Sequence, residues 1–265
     1  MNFETLFAGV NENPVEAALI GVGEFGASLI AQGQRMPSLK VRVLCDQDTK
    51  RAQSAALACG IEAEHITVCE NAASAQSAFA RGDTVILPDA TLINDLDIDI
   101  VVEATGVPEV AARNALAAID HGRHVAMVSK EADAAVGPIL KRRADDAGLV
   151  YSAVDGDQHG LLISLVQWAR DLGLHVYCGG KSVGSDIVFE QETGTVSRGA
   201  SGPLDLDDPS AFGPGPSERA PALVPRRREM LGRTGVEGYD ITEMTIVANA
   251  TGLNPDVDEL RGPHA

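Results

Sequence analysis

One stretch constrains this chain more than any other. An apolar run at 15–20 (VEAALI) breaks into Gly21-Val22-Gly23-Glu24-Phe25-Gly26 and passes straight into a segment with a helical pattern, ASLIAQGQRM. A second apolar strand, VRVLCD at 41–46, ends on Asp46, 20 residues beyond Gly26. Strand, glycine turn, helix and strand within about 30 residues make one βαβ unit. In this pattern the first glycine permits the tight turn, the second lets a pyrophosphate approach the backbone, and the third lets helix and strand pack closely. The helix start supplies free N–H groups and a partial positive charge, which suit an anion. The pattern predicts a dinucleotide site built on Gly21, Gly23, Glu24, Phe25 and Gly26. Asp46 falls where a carboxylate accepts the adenosine ribose hydroxyls and repels a 2′-phosphate. NAD is therefore the expected cofactor, with NADP possible because Lys50 and Arg51 lie close by in the chain.

The β/α alternation continues. Asp48 to Ala58 reads as a helix capped by Asp48, AASAQSAFARG as another, and TVILPD as a short strand stopped by Pro88. DIDIVVEATG at 97–106 is a near-continuous apolar run, the mark of a strand buried on both faces. A helix follows, with Pro108 in its first turn and Gly122 at its end. RHVAMVSK at 123–130 is a strand, GPILKRRADDAG a helix and LVYSAVD at 149–155 a strand. The expected fold is an α/β Rossmann domain over 1–155, with a doubly wound parallel sheet. A smaller α+β substrate and dimerisation domain is expected over 156–265.

In that second part, LLISLVQWARDLG reads as an amphipathic helix with Leu162, Leu165, Val166 and Trp168 on or near one face, and LHVYCGGK as a strand. Residues 184–225 are rich in Gly, Pro, Ser and Asp and read as a long loop. RRREMLG and YDITEMTIVANATG read as helices.

Composition narrows the partners. The chain of 265 residues carries 21 Lys plus Arg against 38 Asp plus Glu, a formal charge of −17. Such a surface opposes binding to nucleic acid or to an anionic membrane. The four cysteines, Cys45, Cys59, Cys69 and Cys178, have neither disulfide-scaffold nor zinc spacing, and no metal ligand set is legible. Residues 1–13 lack the pattern of a signal peptide, so a cytoplasmic protein with reduced thiols is expected. A homo-oligomer, a dimer in the simplest case, acting on a small molecule is the expected form.

Only five residues are lysines, so their positions carry weight. Lys130 closes the strand at 123–130 and Lys181 follows the strand LHVYCGGK. Both fall on the carboxyl edge where open α/β sheets bind ligands, and a lysine there can polarise a carbonyl or exchange a proton with a hydroxyl. Lys130 and Lys181 are the catalytic candidates. Asp157 and Gln158, in the loop Asp155-Gly156-Asp157-Gln158-His159-Gly160, and Glu243, at the start of the last helix, are candidates for binding substrate. Capping or helix-dipole roles are the plainer alternatives for these three. His159 could be a proton donor, and reads more plainly as a solvent-exposed loop residue. Thr105 and Gly106, in a turn of small residues, are candidates for contact with the cofactor. Arg226, Arg227 and Arg228 either hold an anion or face solvent.

Taken together, GVGEFG, IVVEATGVPEV, HVAMVSKEAD, GDQHG, GGKS, RRREML and ITEMTIVANATGLNPD resemble the predicted homoserine dehydrogenase-like NAD(P)-dependent oxidoreductases, over nearly the whole chain from about residue 15. Members often carry a SAF domain after the catalytic part. The resemblance implies a Rossmann domain, a substrate and dimerisation domain, and hydride transfer between nicotinamide and a small hydroxy or carbonyl compound, homoserine and aspartate semialdehyde being the namesake pair. It also implies that Lys130, in SKEAD, lies beside nicotinamide and substrate. The family includes enzymes similar to 1-deoxy-D-xylulose 5-phosphate reductoisomerase, which need a divalent metal; Lys130 and Asp46 favour the dehydrogenase over them. A non-catalytic NAD-binding protein is the third reading, motivated by a chain that stops where members usually continue and is expected to be a short form or a fragment.

Overall fold

Ala17, Ala18, Leu19 and Ile20 are all buried, although successive strand residues point to opposite faces. Strand β1 (Val15–Ile20) must therefore be covered on both sides, which requires a parallel sheet between layers of helices. The computed structural model describes residues 9, 12–154, 156–180, 187–198, 202–213, 226–227, 229–230 and 241–255. Lys181, Tyr239, Asp240 and Arg228 lie outside the described residues. The chain divides into two units, Met1–Asp157 and Gln158–Ala265.

In the first unit β1 is followed by α1 (Glu24–Gly33), β2 (Leu39–Cys45), α2 (Thr49–Ala58), β3 (Ile66–Val68), α3 (Ala72–Arg81), β4 (Thr84–Leu87), β5 (Ile100–Glu103), α4 (Pro108–Asp120), β6 (His124–Met127), α5 (Lys130–Asp146) and β7 (Tyr151–Ala153). The seven strands form one sheet in the order β3-β4-β2-β1-β5-β6-β7. Every pairing is parallel. This is the Rossmann-like α/β fold, and its strand order reverses at β1, flanked by β2 and β5. Ala17 and Leu19 face one core with Ile30, Ala52 and Ala56 of α1 and α2. Ala18 and Ile20 face the other, with alanines of α3, α4 and α5 such as Ala78, Ala115 and Ala144. Alanine faces let these helices lie close on the sheet, so the larger side chains come mainly from the strands.

Local signals set several boundaries. Asp48 accepts from the backbone N–H of Lys50 and Arg51 and starts α2, while Asn71 accepts from Ser74 N–H and starts α3. One boundary differs from the sequence reading. Helix α5 begins at Lys130, and Pro138 lies inside it rather than near its start. Acidic Glu131 and Asp133 in the first turn favour an early start, and the lysine expected to end a strand instead opens a helix.

The second unit holds α6 (Gln158–Asp171), an antiparallel hairpin of β8 (Ile187–Glu190) and β9 (Thr195–Arg198), and α7 (Ile241–Thr251). Four expectations change here. The stretch 174–180 forms no strand. Its Tyr177 is almost fully exposed and Gly179–Gly180 weaken strand pairing. The region expected as loop contains the hairpin, turned at Gly194 with φ of 66°; Phe189 of β8 stands opposite the buried Val196 of β9, a short apolar pairing inside a stretch dominated by turn residues. Helix α6 buries Val166 but leaves Leu165 and Trp168 more than half exposed, so the four apolar residues do not share a buried face. His159 is not an exposed loop residue: it lies in the first turn of α6 and is 3% exposed. Arg226 pairs with Asp208, and Arg227 donates to the carbonyls of Ala211 and Gly213, so these two hold the turn Pro209–Phe212.

Ile86, in β4 and fully buried, packs among the second-strand and α2 side chains. Ile86→Ala is expected to lower unfolding free energy by about 2–5 kcal/mol, measured by urea denaturation. A loss below about 1 kcal/mol contradicts the packing described.

Candidate dinucleotide site

The glycine turn closes on close backbone contacts. Gly21 has φ of 91°, its N–H donates to Cys45 O, and a Cβ there would stand 2.5 Å from Ala104 O. A Cβ on Gly26 would stand 2.7 Å from Gly21 O. No L side chain fits either place, so the first and third glycines hold β1, α1 and the turn after β5 in contact. Gly23 is different: a Cβ there would meet nothing within 4 Å. The space in front of it is open, at the start of α1, where first-turn N–H groups have no intrahelical acceptor. That open approach, with free donors behind it, fits the pyrophosphate of a dinucleotide. Glu24 and Phe25 open α1 and are exposed beside it.

Asp46 ties the turn to the end of β2. Its Oδ2 accepts from Val22 N–H at 2.8 Å and from Arg51 Nη2 at 2.6 Å, and its Oδ1 accepts from Asp48 N–H at 2.9 Å. The carboxylate is 4% exposed and the guanidinium over it 58%. Burial by itself raises a carboxyl pKa; the hydrogen bond from Arg51, with those from Val22 and Asp48, outweighs it and holds Asp46 below the usual carboxylate range. The neighbouring Cys45 thiol is pushed up to about 12 by burial and by the carboxylates of Asp89 and Asp46, and stays protonated.

Across the switch point, Glu103 ends β5 fully buried. Its Oε1 accepts from Thr105 Oγ1 at 2.7 Å, Thr105 N–H at 3.3 Å and Asn114 Nδ2 at 3.4 Å. Its Oε2 accepts from Ser129 Oγ at 2.5 Å, and Ser129 Oγ in turn accepts from Gly106 N–H at 2.9 Å. Thr105 and Gly106 are thus fixed in one network with the residue that precedes Lys130. Lys130 Nζ lies 2.6 Å from Asp157 Oδ2, both groups being partly exposed. A cavity of about 260 Å³ opens between α4 and the turn Ala90–Asp95, lined by Ile20, Ala90, Thr91, Val101, Arg113 and Asn114.

The first unit therefore brings together Gly21, Gly23, Gly26 and Asp46 on one side, and Thr105, Gly106, Lys130 and Asp157 on the other. Gln158 and Glu243 lie in the second unit, at the starts of α6 and α7. Glu103, Ser129 and Asn114 were not singled out as a network from sequence; an acidic residue at the end of a buried parallel strand was the signal for it.

Residues 21–148 match the family of homoserine dehydrogenase NAD-binding domains. The matched residues run from the glycine turn past the end of α5. Curated proteins gave no match. Similar solved structures include a homoserine dehydrogenase from Thiobacillus denitrificans, with TM-score 0.45 and 18% identity over 60% of this chain and 34% of that one. An oxidoreductase from Agrobacterium radiobacter, solved with NAD+, L-tartaric acid and magnesium, gives 0.45 and 18% over 61% and 41%. The WlbA dehydrogenase from Bordetella pertussis, solved with NADH and UDP-GlcNAcA, gives 0.43 and 19% over 61% and 44%. The chain spans less than half the length of each of these proteins. Among its described residues no helix is long and apolar enough to cross a membrane.

Asp46 links the candidate cofactor site and acid stability. Its folded pKa is depressed, so the ionised carboxylate stabilises the fold above the ordinary value of about 3.9 and that contribution is lost as pH falls toward the folded value. The stability difference between the wild type and Asp46→Asn is expected to be full at pH 6 and to shrink steadily below about pH 4, read by urea denaturation across pH. A difference that grows on acidification contradicts the assignment.

Proposed function

We propose that the chain is the NAD-dependent part of a dehydrogenase that moves a hydride between nicotinamide and a small hydroxy or carbonyl compound, of the homoserine and aspartate semialdehyde type. The observation that carries this reading is the pairing of Lys130 with Asp157 one residue beyond Ser129, which hydrogen-bonds the turn of Thr105 and Gly106. It supports a proton-handling lysine beside a small-residue turn that leaves room for the cofactor ring. When bound, NADH would supply the hydride for reduction and NAD+ would accept it in oxidation. Gly23 admits the pyrophosphate, Asp46 accepts ribose hydroxyls, and the cavity beside Ile20 and Thr91 suits a flat, largely apolar group such as adenine. Gly106, held by Ser129, keeps its turn close without a side chain. Lys130 donates a proton from its ammonium to the carbonyl oxygen during reduction and takes one from the hydroxyl during oxidation. Asp157 orients Lys130 through their ion pair. Gln158 and Glu243 are assigned to binding substrate polar groups, and Lys181 remains the second catalytic candidate.

Two outcomes test the reading on a panel of small hydroxy acids, amino alcohols and semialdehydes. Lys130→Ala is expected to lower kcat by about 10²-fold or more while leaving the Kd for NADH unchanged by fluorescence titration. An unchanged kcat removes Lys130 from the mechanism. Cofactor choice is read separately. Asp46 favours NAD, by about tenfold or more in kcat/KM over NADP. Because Arg51 lies on Asp46, it is the residue through which any remaining NADP use would run, and Arg51→Ala is expected to weaken that use further. A preference for NADP reverses the assignment of Asp46.

A further inference from the structure

We propose that His159 and Glu243 hold a divalent cation within the second unit. His159 sits in the first turn of α6 and is 3% exposed; Glu243 sits in the first turn of α7 and is 5% exposed. Helices α6 and α7 pack against each other. A ligating nitrogen of His159 and a carboxylate oxygen of Glu243 lie within 4.8 Å of one another. Two ligands that each stand about 2.0–2.2 Å from one ion are separated by no more than about 4.4 Å, so the pair needs little adjustment to share it.

The second observation is independent of this spacing. Nδ1 of His159 is buried without a hydrogen-bond partner among the described residues. A buried polar atom left without a partner costs about 1–3 kcal/mol, and native proteins seldom retain one without a ligand, water or ion to meet it. An imidazole beside a buried carboxylate presents one nitrogen donor and one anionic oxygen donor. That pair suits borderline ions such as Co²⁺ and Zn²⁺, with Mn²⁺ as a harder ion that also accepts imidazole, rather than Mg²⁺ or Ca²⁺, which favour oxygen ligands. Two protein ligands leave the other coordination positions to water or to oxygens of a bound ligand. Glu243 would then hold the cation rather than substrate directly, while the proton-handling role of Lys130 is read by kcat and not by cation binding, so each can fail without the other.

The test uses the full chain after chelator treatment and dialysis. Free Mn²⁺ is followed by electron paramagnetic resonance during titration, and the visible absorption of added Co²⁺ reports its ligand field. One saturable site per chain is expected. His159→Asn and Glu243→Gln are each expected to raise its Kd by about tenfold or more. An exposed cluster of Glu62, Glu64 and His65 in the first unit can also attract cations, so His65→Ala serves as a control and is expected to retain the site. Absence of a saturable site overturns the proposal, as does unchanged binding in both variants or loss of binding in His65→Ala. If circular dichroism shows both variants unfolded, the wild-type Co²⁺ spectrum decides: intensified, shifted bands support the site, and the spectrum of aqueous cobalt overturns it.

Discussion

The carboxylate of Glu103 is sealed at the end of β5 with no cationic side chain bonded to it among the described residues, and the carboxyl edge of the sheet is arranged around that fact. A buried charge is costly unless its acceptor positions are filled. Here four donors from Thr105, Asn114 and Ser129 meet its two oxygens, which matches the roughly four lone-pair sites a carboxylate offers. Those donors come from the turn after β5, from α4 and from the residue before α5. Meeting one charge therefore fixes three chain segments at once. It also leaves Gly106 and Lys130 in a set position without direct contact with Glu103.

Asp46 does the corresponding work on the other side of the switch point. It receives the N–H of Val22 from inside the glycine turn and the N–H of Asp48 from the start of the next helix. The turn is thus held by a side chain as well as by its glycines. Gly21 and Gly26 are needed because backbone passes where a Cβ would be, whereas Gly23 is needed because something else must approach. The acidic total of the chain does not conflict with an anionic cofactor. The pyrophosphate is met by backbone N–H groups, which require no net positive charge.

Most of the first unit was legible in the sequence, since its strands are buried on both faces and its helices begin at recognisable caps. The run Ile100-Val101-Val102 and the caps Asp48 and Asn71 are examples of local signals that tertiary structure does not override. Lys130 was placed on the right edge of the sheet but in the wrong element, because the apolar run before it masks the helix that Ser129 and Glu131 begin. The second unit was less legible for physical reasons. Strands β8 and β9 are only four residues each, too short to stand out among glycines and prolines, and the exposed Leu165 and Trp168 imitate a buried face. His159 could not be read as buried, because the packing of α6 against α7 joins residues far apart in the chain. The same distance hides its relation to Glu243: no local spacing joins the first turns of two separate helices.

The position of Lys130 has a consequence for engineering. It is the first residue of α5, where the helix dipole is positive and an ammonium is disfavoured. Glu131 and Asp133, the following acids, and Asp157 across from it offset that repulsion. An acidic residue at position 130 would suit the helix better than the lysine does. Selection for thermal stability alone would therefore drift away from the lysine, and a stabilised variant that keeps it would have gained its stability elsewhere.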